Sequence, residues 1–318
     1  MRPKLLAVTG VLLMSPFYAA LASPLVSVNQ LVMFGDSLSD NGNAAVALGG
    51  TLPGNYAPNA FTDGPSTNPA TTGPFGLWID QFAADTGLPD PKPYLANPLL
   101  NTNYAVASAQ TGSANPQDIS NQLAAFTLAH PTGAPSSALY AIWGGANDLY
   151  NGTNTGKTAA DDLYSNILTL SAEGAKYFLW LNLPQLGDTP RGAGSAALNT
   201  QSTDFDNEWA TDISKLQTAG IFVIGVDINS EFNQILGSPG SFGFTNVTSP
   251  AQGIAGDPNK YLFWDTEHPT TAGDALIAQV AYTDLVSAPE PGSLTMLLGG
   301  LGVIGLCLLG RRRRACRG

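Results

Sequence analysis

Leu31-Val32-Met33-Phe34-Gly35 is an unbroken apolar run that stops at glycine and gives way to Asp36-Ser37-Leu38-Ser39-Asp40-Asn41-Gly42-Asn43. A short run without polar alternation reads as a strand buried on both faces, and such a strand needs helices on either side of its sheet. Ser37 then falls just past the carboxyl end of that strand, the edge where open α/β sheets keep their chemistry. A serine at this point is also an ordinary helix N-cap, because its hydroxyl suits unpaired N–H groups. The rest of the chain has to decide between the two.

Further apolar runs at 102–106, 138–143, 177–182 and 221–226 read as strands. Helical periodicity falls near 75–86, 117–129, 157–173, 200–219, 228–236 and 271–286. Strands alternating with helices predict a mostly parallel sheet covered on both faces. The segments 44–74 and 237–260 are rich in Gly and Pro and read as long irregular loops, of the kind that often form a substrate rim. The chain has no internal repeat, no coiled-coil heptad and no P-loop. Gly144-Gly145-Ala146-Asn147 lacks the third glycine and the acidic partner of a dinucleotide fingerprint.

Both ends read as addresses. Met1-Arg2-Pro3-Lys4 is basic, Leu5 to Leu21 is apolar, and Ala20-Leu21-Ala22 offers a small-residue cleavage site, so 1–22 has the pattern of a secretory signal peptide. The bland alternative is an uncleaved N-terminal anchor. At the other end, Pro289-Glu290-Pro291 precedes an uncharged run from Leu294 to Gly310, and Arg311-Arg312-Arg313-Arg314 follows. That run has 17 residues, the short limit for a membrane span, and the arginines behind it belong on the cytoplasmic side. This three-part tail, 289–318, resembles the PEP-CTERM sorting signal of Gram-negative bacteria. The resemblance implies export, processing by an exosortase-type membrane protease, and membrane attachment through the tail at least until that processing. A plain C-terminal anchor is its alternative.

The intervening segment 23–288 is long enough for one large α/β domain. It carries 6 Lys/Arg against 23 Asp/Glu, a balance near −17, which disfavours nucleic acid as a partner. Cys307 and Cys316 both lie in the tail, so the domain has no thiolate nucleophile and no cysteine-bound metal. Only His130 and His268 are present, too few imidazoles for a His-based zinc site. No metal or cofactor is expected.

Polar clusters follow the apolar runs: Ala107-Ser108-Ala109-Gln110-Thr111-Gly112, Gly144-Gly145-Ala146-Asn147-Asp148, and Asp265-Thr266-Glu267-His268-Pro269-Thr270 after the short run Tyr261–Trp264. A right-handed parallel architecture brings these ends to the edge that holds Ser37. A serine hydroxyl becomes a nucleophile when an imidazole takes its proton and a carboxylate holds the other ring nitrogen. His268 is the histidine at a strand end, and Asp265 stands three residues before it, so the two meet within one turn. The developing oxyanion would draw on the Ser37 N–H, an N–H near Ser108 and the Asn147 amide. Each member also has a duller reading: Asn147 as a turn residue, Thr270 or Thr271 as a helix cap, Asp265 as a cap of the same turn. His130 reads as a partner for the carboxyl end of its helix, and Asp36 as ordering its own turn. Asp148, Glu267 and Asp274 carry no role beyond solvation or capping.

Together these blocks resemble the GDSL esterases and lipases, also called SGNH hydrolases. Phe34–Asp40 is similar to the first block, Gly144–Asp148 to the G-x-N-D block, and Asp265–Thr270 to D-x-x-H-P-T. Asn182–Pro190 and Gly243–Thr248 resemble subsidiary stretches of the branch with secreted lipases, phospholipases and autotransporter esterases. The resemblance spans 31–286 and implies a flavodoxin-like three-layer α/β/α sandwich with five parallel strands. It assigns Ser37 as nucleophile, His268 and Asp265 as its partners, and Ser37, Ser108 and Asn147 to the oxyanion hole. Ser108 is a departure, since that block usually carries glycine there. The reading is an exported serine carboxylic-ester hydrolase acting through an acyl-enzyme on a lipid or another acylated molecule. A polysaccharide O-acetyl esterase or a lipid acyltransferase would use the same site, and a non-catalytic surface or matrix binding module would use the same fold. Tyr56, Phe61, Phe75, Trp78, Phe242 and Phe244 are the aromatics available to an acyl chain or a sugar ring.

Overall fold

The computed structural model describes residues 28–65 and 73–288. The leader 1–22 and the tail 289–318, with its apolar span, lie outside them. Among the described residues no helix is long and apolar enough to cross a membrane.

Four strands, β1 (Gln30–Gly35), β2 (Ala138–Trp143), β3 (Tyr177–Leu181) and β4 (Phe222–Val226), form a parallel sheet in the order β1-β2-β3-β4. Each is apolar at consecutive positions because each faces two cores. Leu31 and Met33 of β1, with Leu139, Ala141 and Trp143 of β2, enter one apolar cluster. The intervening Val32, Phe34, Tyr140 and Ile142 enter the other. The first cluster lies under helices α2 (Trp78–Thr86), α7 (Ile228–Gly237) and α8 (Thr271–Ser287); the second lies under α3 (Ile119–Ala129), α5 (Gly156–Ala172) and α6 (Ala196–Thr218). This is the three-layer α/β/α arrangement.

The expected fifth strand at 102–106 is present only in part. The segment runs parallel to β1 on its free side, with Met33 N–H donating to Thr102 O at 3.0 Å, Tyr104 N–H to Met33 O at 2.8 Å and Val106 N–H to Gly35 O at 3.1 Å. Its ladder with β1 is interrupted at Gly35, whose N–H goes to the side-chain oxygen of Gln122 and not to Tyr104 O, and asparagines close its outer edge. Asn103 Oδ1 accepts from the Ala105 N–H at 2.9 Å, and Asn43 Nδ2 donates to the carbonyls of Asn103 and Ala105, each at 2.8 Å. Side-chain amides thus satisfy backbone groups that a further ladder would use. The segment still occupies the sheet edge, so β1 lies at the point where the chain crosses from one side of the sheet to the other.

Two short helices, α1 (Asn43–Ala47) and α4 (Ala146–Asn151), stand in stretches without helical periodicity. The second loop, 237–260, contains β5 (Asn246–Pro250), which pairs parallel with β6 (Tyr261–Phe263) away from the main sheet. β6 leads directly into Asp265–His268 and α8, so this small pair fixes where the histidine turn begins.

Candidate active site

β1 ends at Gly35 because nothing larger fits. A Cβ there would stand 2.6 Å from the Trp143 carbonyl oxygen of the neighbouring strand. Gln122 of α3 takes over from the sheet: its side chain accepts from Gly35 N–H at 3.0 Å and donates to Gly35 O at 2.7 Å. The chain then turns over Asp36, whose Oδ1 accepts from Leu38 N–H at 3.0 Å, and Ser37 projects at the turn. Burial raises the Asp36 carboxyl to about 7 against the opposing hydrogen bond from Leu38 and the pull of His268.

At the far end of the domain, Thr270 caps α8 with its hydroxyl accepting from Gly273 N–H at 3.2 Å, and the cap holds the preceding turn. Within that turn Asp265 Oδ1 accepts from the N–H groups of Glu267 and His268, each at 2.8 Å. Its Oδ2 stands 2.6 Å from His268 Nδ1. A carboxylate only accepts, so Nδ1 carries the proton and Nε2 presents a lone pair. Ser37 Oγ lies 2.7 Å from that Nε2, across 231 positions of sequence.

Both partners are shielded, His268 being 5 % exposed. Burial works against the imidazolium, but the hydrogen bond and charge of Asp265, with Glu267 and Asp36, outweigh it and hold His268 above its ordinary value. Burial also works against the Asp265 carboxylate. The His268 hydrogen bond and charge, the Tyr56 hydroxyl and the backbone donors prevail and hold it well below the usual carboxylate range.

Ser108 has φ +64°, in the left-handed region, and its exposed turn is held by two buried carboxylates. Asp40 Oδ2 accepts from Ala107 N–H at 2.9 Å, and Asp148 accepts from Thr111 N–H at 3.0 Å and Thr111 Oγ1 at 2.9 Å. Asp148 therefore has a structural part that its position in the sequence did not reveal. Asn147 is the second residue of α4, which follows Gly145, whose φ of +112° is open to glycine. Its Nδ2 donates to Ala109 O at 3.0 Å and lies 3.4 Å from Asp36 Oδ2. Among the described residues, the N–H groups of Ser37 and Ser108 donate to nothing.

Ser37, His268, Asn147 and Asp36 open into a narrow cleft of about 40 Å³. Its other walls are mostly apolar, with Trp143, Leu183, Leu186, Phe232 and Phe263 prominent, and Glu267 at one side. Glu267 is paired with Arg191, whose guanidinium lies 4.2 Å from the centre of the Tyr150 ring. The six aromatics singled out for substrate contact are absent from these walls. Trp78 and Phe244 are buried in the core, and Tyr56 and Phe61 pack behind His268 instead. The 183–189 stretch contributes Leu183, Pro184, Leu186 and Thr189 to the walls, and among the described residues the two Gly- and Pro-rich loops contribute none. Ser108 also lies outside the lining.

His130 sits at the carboxyl end of α3, its Nδ1 2.9 Å from Phe126 O. One acidic trio among the described residues, Asp161, Glu208 and Asp212, is close enough to share an ion, but Lys157 and Lys215 already pair with it.

A parallel α/β/α sandwich with hydroxyl, imidazole and carboxylate in line at its strand ends defines a class, the α/β proteins built for chemistry at that edge. The family model for GDSL-like lipase/acylhydrolase matches residues 31–281, and the chain belongs to that family. A second model, the PEP-CTERM protein-sorting motif, matches 287–314 and indicates export and sorting. Among curated relatives, the uncharacterized protein of the trpE-trpG intergenic region in Pseudomonas putida is 29 % identical over 81 % of this chain, which spans only 48 % of that protein. A GDSL esterase/lipase of Arabidopsis thaliana is 27 % identical, with 89 % of this chain and 93 % of the relative covered. Among solved structures, a lipolytic protein of the G-D-S-L family from Veillonella parvula is 13 % identical, covering 82 % of this chain and 100 % of that one at a TM-score of 0.46.

Proposed function

We propose that this chain is an exported serine hydrolase of carboxylic esters. The observation that carries the reading is the continuous line from Asp265 through His268 to Ser37, with contacts of 2.6 and 2.7 Å. His268 Nε2 takes the Ser37 proton as Oγ attacks the ester carbonyl, and Asp265 stabilises the imidazolium that forms. The imidazolium returns the proton to the leaving alcohol, and water then releases the acid from Ser37 by the same steps in reverse order. The Ser37 N–H is an unspent donor on the cleft, which supports its use on the oxyanion; the Asn147 amide lines the same cleft, and the Ser108 N–H, also unspent, lies outside it. The mainly apolar cleft suits an acyl chain better than a sugar ring, which favours a lipid-like ester over an acetylated glycan. The leader pattern and the sorting motif support export, with exosortase-type processing of the tail.

Ser37→Ala tests the reading. It is expected to lower kcat on a short-chain nitrophenyl ester by roughly four orders of magnitude or more while the circular dichroism stays unchanged. Undiminished turnover would end the proposal. A series from acetyl to palmitoyl esters, with an acetylated glycan beside it, separates the substrate classes: the cleft calls for activity that outlasts acetyl and is absent on the glycan.

A further inference from the structure

Tyr56 comes from the early loop, 209 positions before Asp265, and its hydroxyl donates to Asp265 Oδ2 at 2.6 Å. That is the oxygen His268 Nδ1 also uses, at the same distance. With Oδ1 already taking two backbone N–H groups, the carboxylate accepts four hydrogen bonds. The Tyr56 ring meets His268 edge-on, with centroids 6.2 Å apart, and Phe61 stacks on the imidazole at 5.1 Å and 26°. The loop is anchored just beyond. Thr62 Oγ1 donates to Pro269 O at 3.1 Å, and Asp63 Oδ1 accepts from Thr271 N–H at 2.7 Å. The 56–63 segment therefore grips the acid–base turn on both sides of His268.

We propose that Tyr56 is a positioning residue that tempers the general base: by sharing Asp265 Oδ2 with His268, it fixes the carboxylate and limits its pull on the imidazolium. The inference rests on the reading of Ser37, His268 and Asp265 given above. Hydrogen bonds to a carboxylate spread its charge, so each added donor lowers its affinity for a neighbouring proton. Three ionisable groups face His268 besides Tyr56: Asp265 and Glu267 from its own turn and Asp36 from the end of β1. Glu267 is already paired with Arg191, and Asp36 with the Leu38 N–H. Among the described residues Tyr56 is thus the one hydrogen-bond donor that acts on Asp265 from outside the turn without carrying charge, and Tyr56→Phe removes the donor while keeping the ring against His268.

Because hydrolysis needs neutral His268, freeing Oδ2 moves the acid limb of the kcat/KM profile upward. The expected displacement in Tyr56→Phe is about half a pH unit or more, together with a fall in kcat of roughly tenfold at neutral pH and little change in KM. The same shift is read without turnover by nitrogen-15 NMR titration of the imidazoles, where the protein's two histidines give separable signals and His268→Ala identifies the relevant one. His268 titrating at higher pH in Tyr56→Phe than in the parent supports the proposal. Superimposable titrations and superimposable pH profiles overturn it. Failure of the underlying reading looks different, because Ser37→Ala would then retain turnover whatever Tyr56→Phe does.

Discussion

Ser108 holds a left-handed backbone at φ +64° where a side chain with a Cβ is at a disadvantage. An L-residue in this region costs roughly 1–2 kcal/mol, whereas glycine gives up about 0.5–1 kcal/mol through its freer unfolded chain. The balance favours glycine at this position. Ser108→Gly should therefore raise stability by about 0.5–1 kcal/mol in a denaturant melt, with activity kept, since the main-chain N–H is common to both residues. At this scale the sequence was informative where polar residues follow strand ends, because Ser37, Asn147, Asp265 and His268 each stand within a few residues of the end of an apolar run. It misassigned Tyr56, singled out for substrate contact, and placed Gln122 only as one position of a periodic helix. Their partners, Asp265 and Gly35, are far away in the chain. A hydrogen bond of this kind leaves no trace in spacing.

Among elements, the start of α8 bears most directly on the site. Thr270 is wholly buried, and its hydroxyl both accepts from Gly273 N–H at 3.2 Å and donates to Tyr261 O at 2.7 Å, tying the helix to β6. Thr270→Val keeps the shape and leaves both backbone groups without their partner. The expected cost is about 2 kcal/mol, read as a lower denaturation midpoint. Because His268 stands two residues earlier, kcat should fall in the same variant by more than KM changes. The long helices were legible from their period, and six of them lie within a few residues of where the pattern puts them. The short ones were not, since the 5 residues of α1 and the 6 of α4 are too few to display a 3.6-residue repeat. The segment at 102–106 misled for the opposite reason. Its apolar character is that of a strand, but Gln122 takes the Gly35 N–H that the ladder with β1 would need, and Asn103 and Asn43 close its outer edge.

For the molecule as a whole, buried acids set a conflict between stability and activity. Asp36, Asp80 and Asp206 are each raised to about 7, with burial as the leading cause. Unfolded aspartate titrates near 3.9, so between about pH 4 and 7 the folded chain holds more protons and loses stability as pH rises. His268, also raised, adds stability that is full below its unfolded value and lost as pH climbs through the folded one. The lowered Asp265 acts the other way, and its contribution disappears only at strongly acid pH. The thermal midpoint at pH 5 should accordingly exceed that at pH 8 in buffers of equal ionic strength. Ester hydrolysis should run in the opposite direction, rising with pH as His268 becomes neutral, so initial rates and melting curves taken on one pH series will cross.

The hydroxyl and the imidazole that meet in the cleft are 231 positions apart, with nearly the whole domain between them. A ribosome delivers the first long before the second, and the turn bearing the second is fixed only when the final helix docks. Throughout synthesis, and in any threaded state that precedes folding, the serine has no base to deprotonate it. On that reading the polypeptide stays chemically silent until α8 is in place.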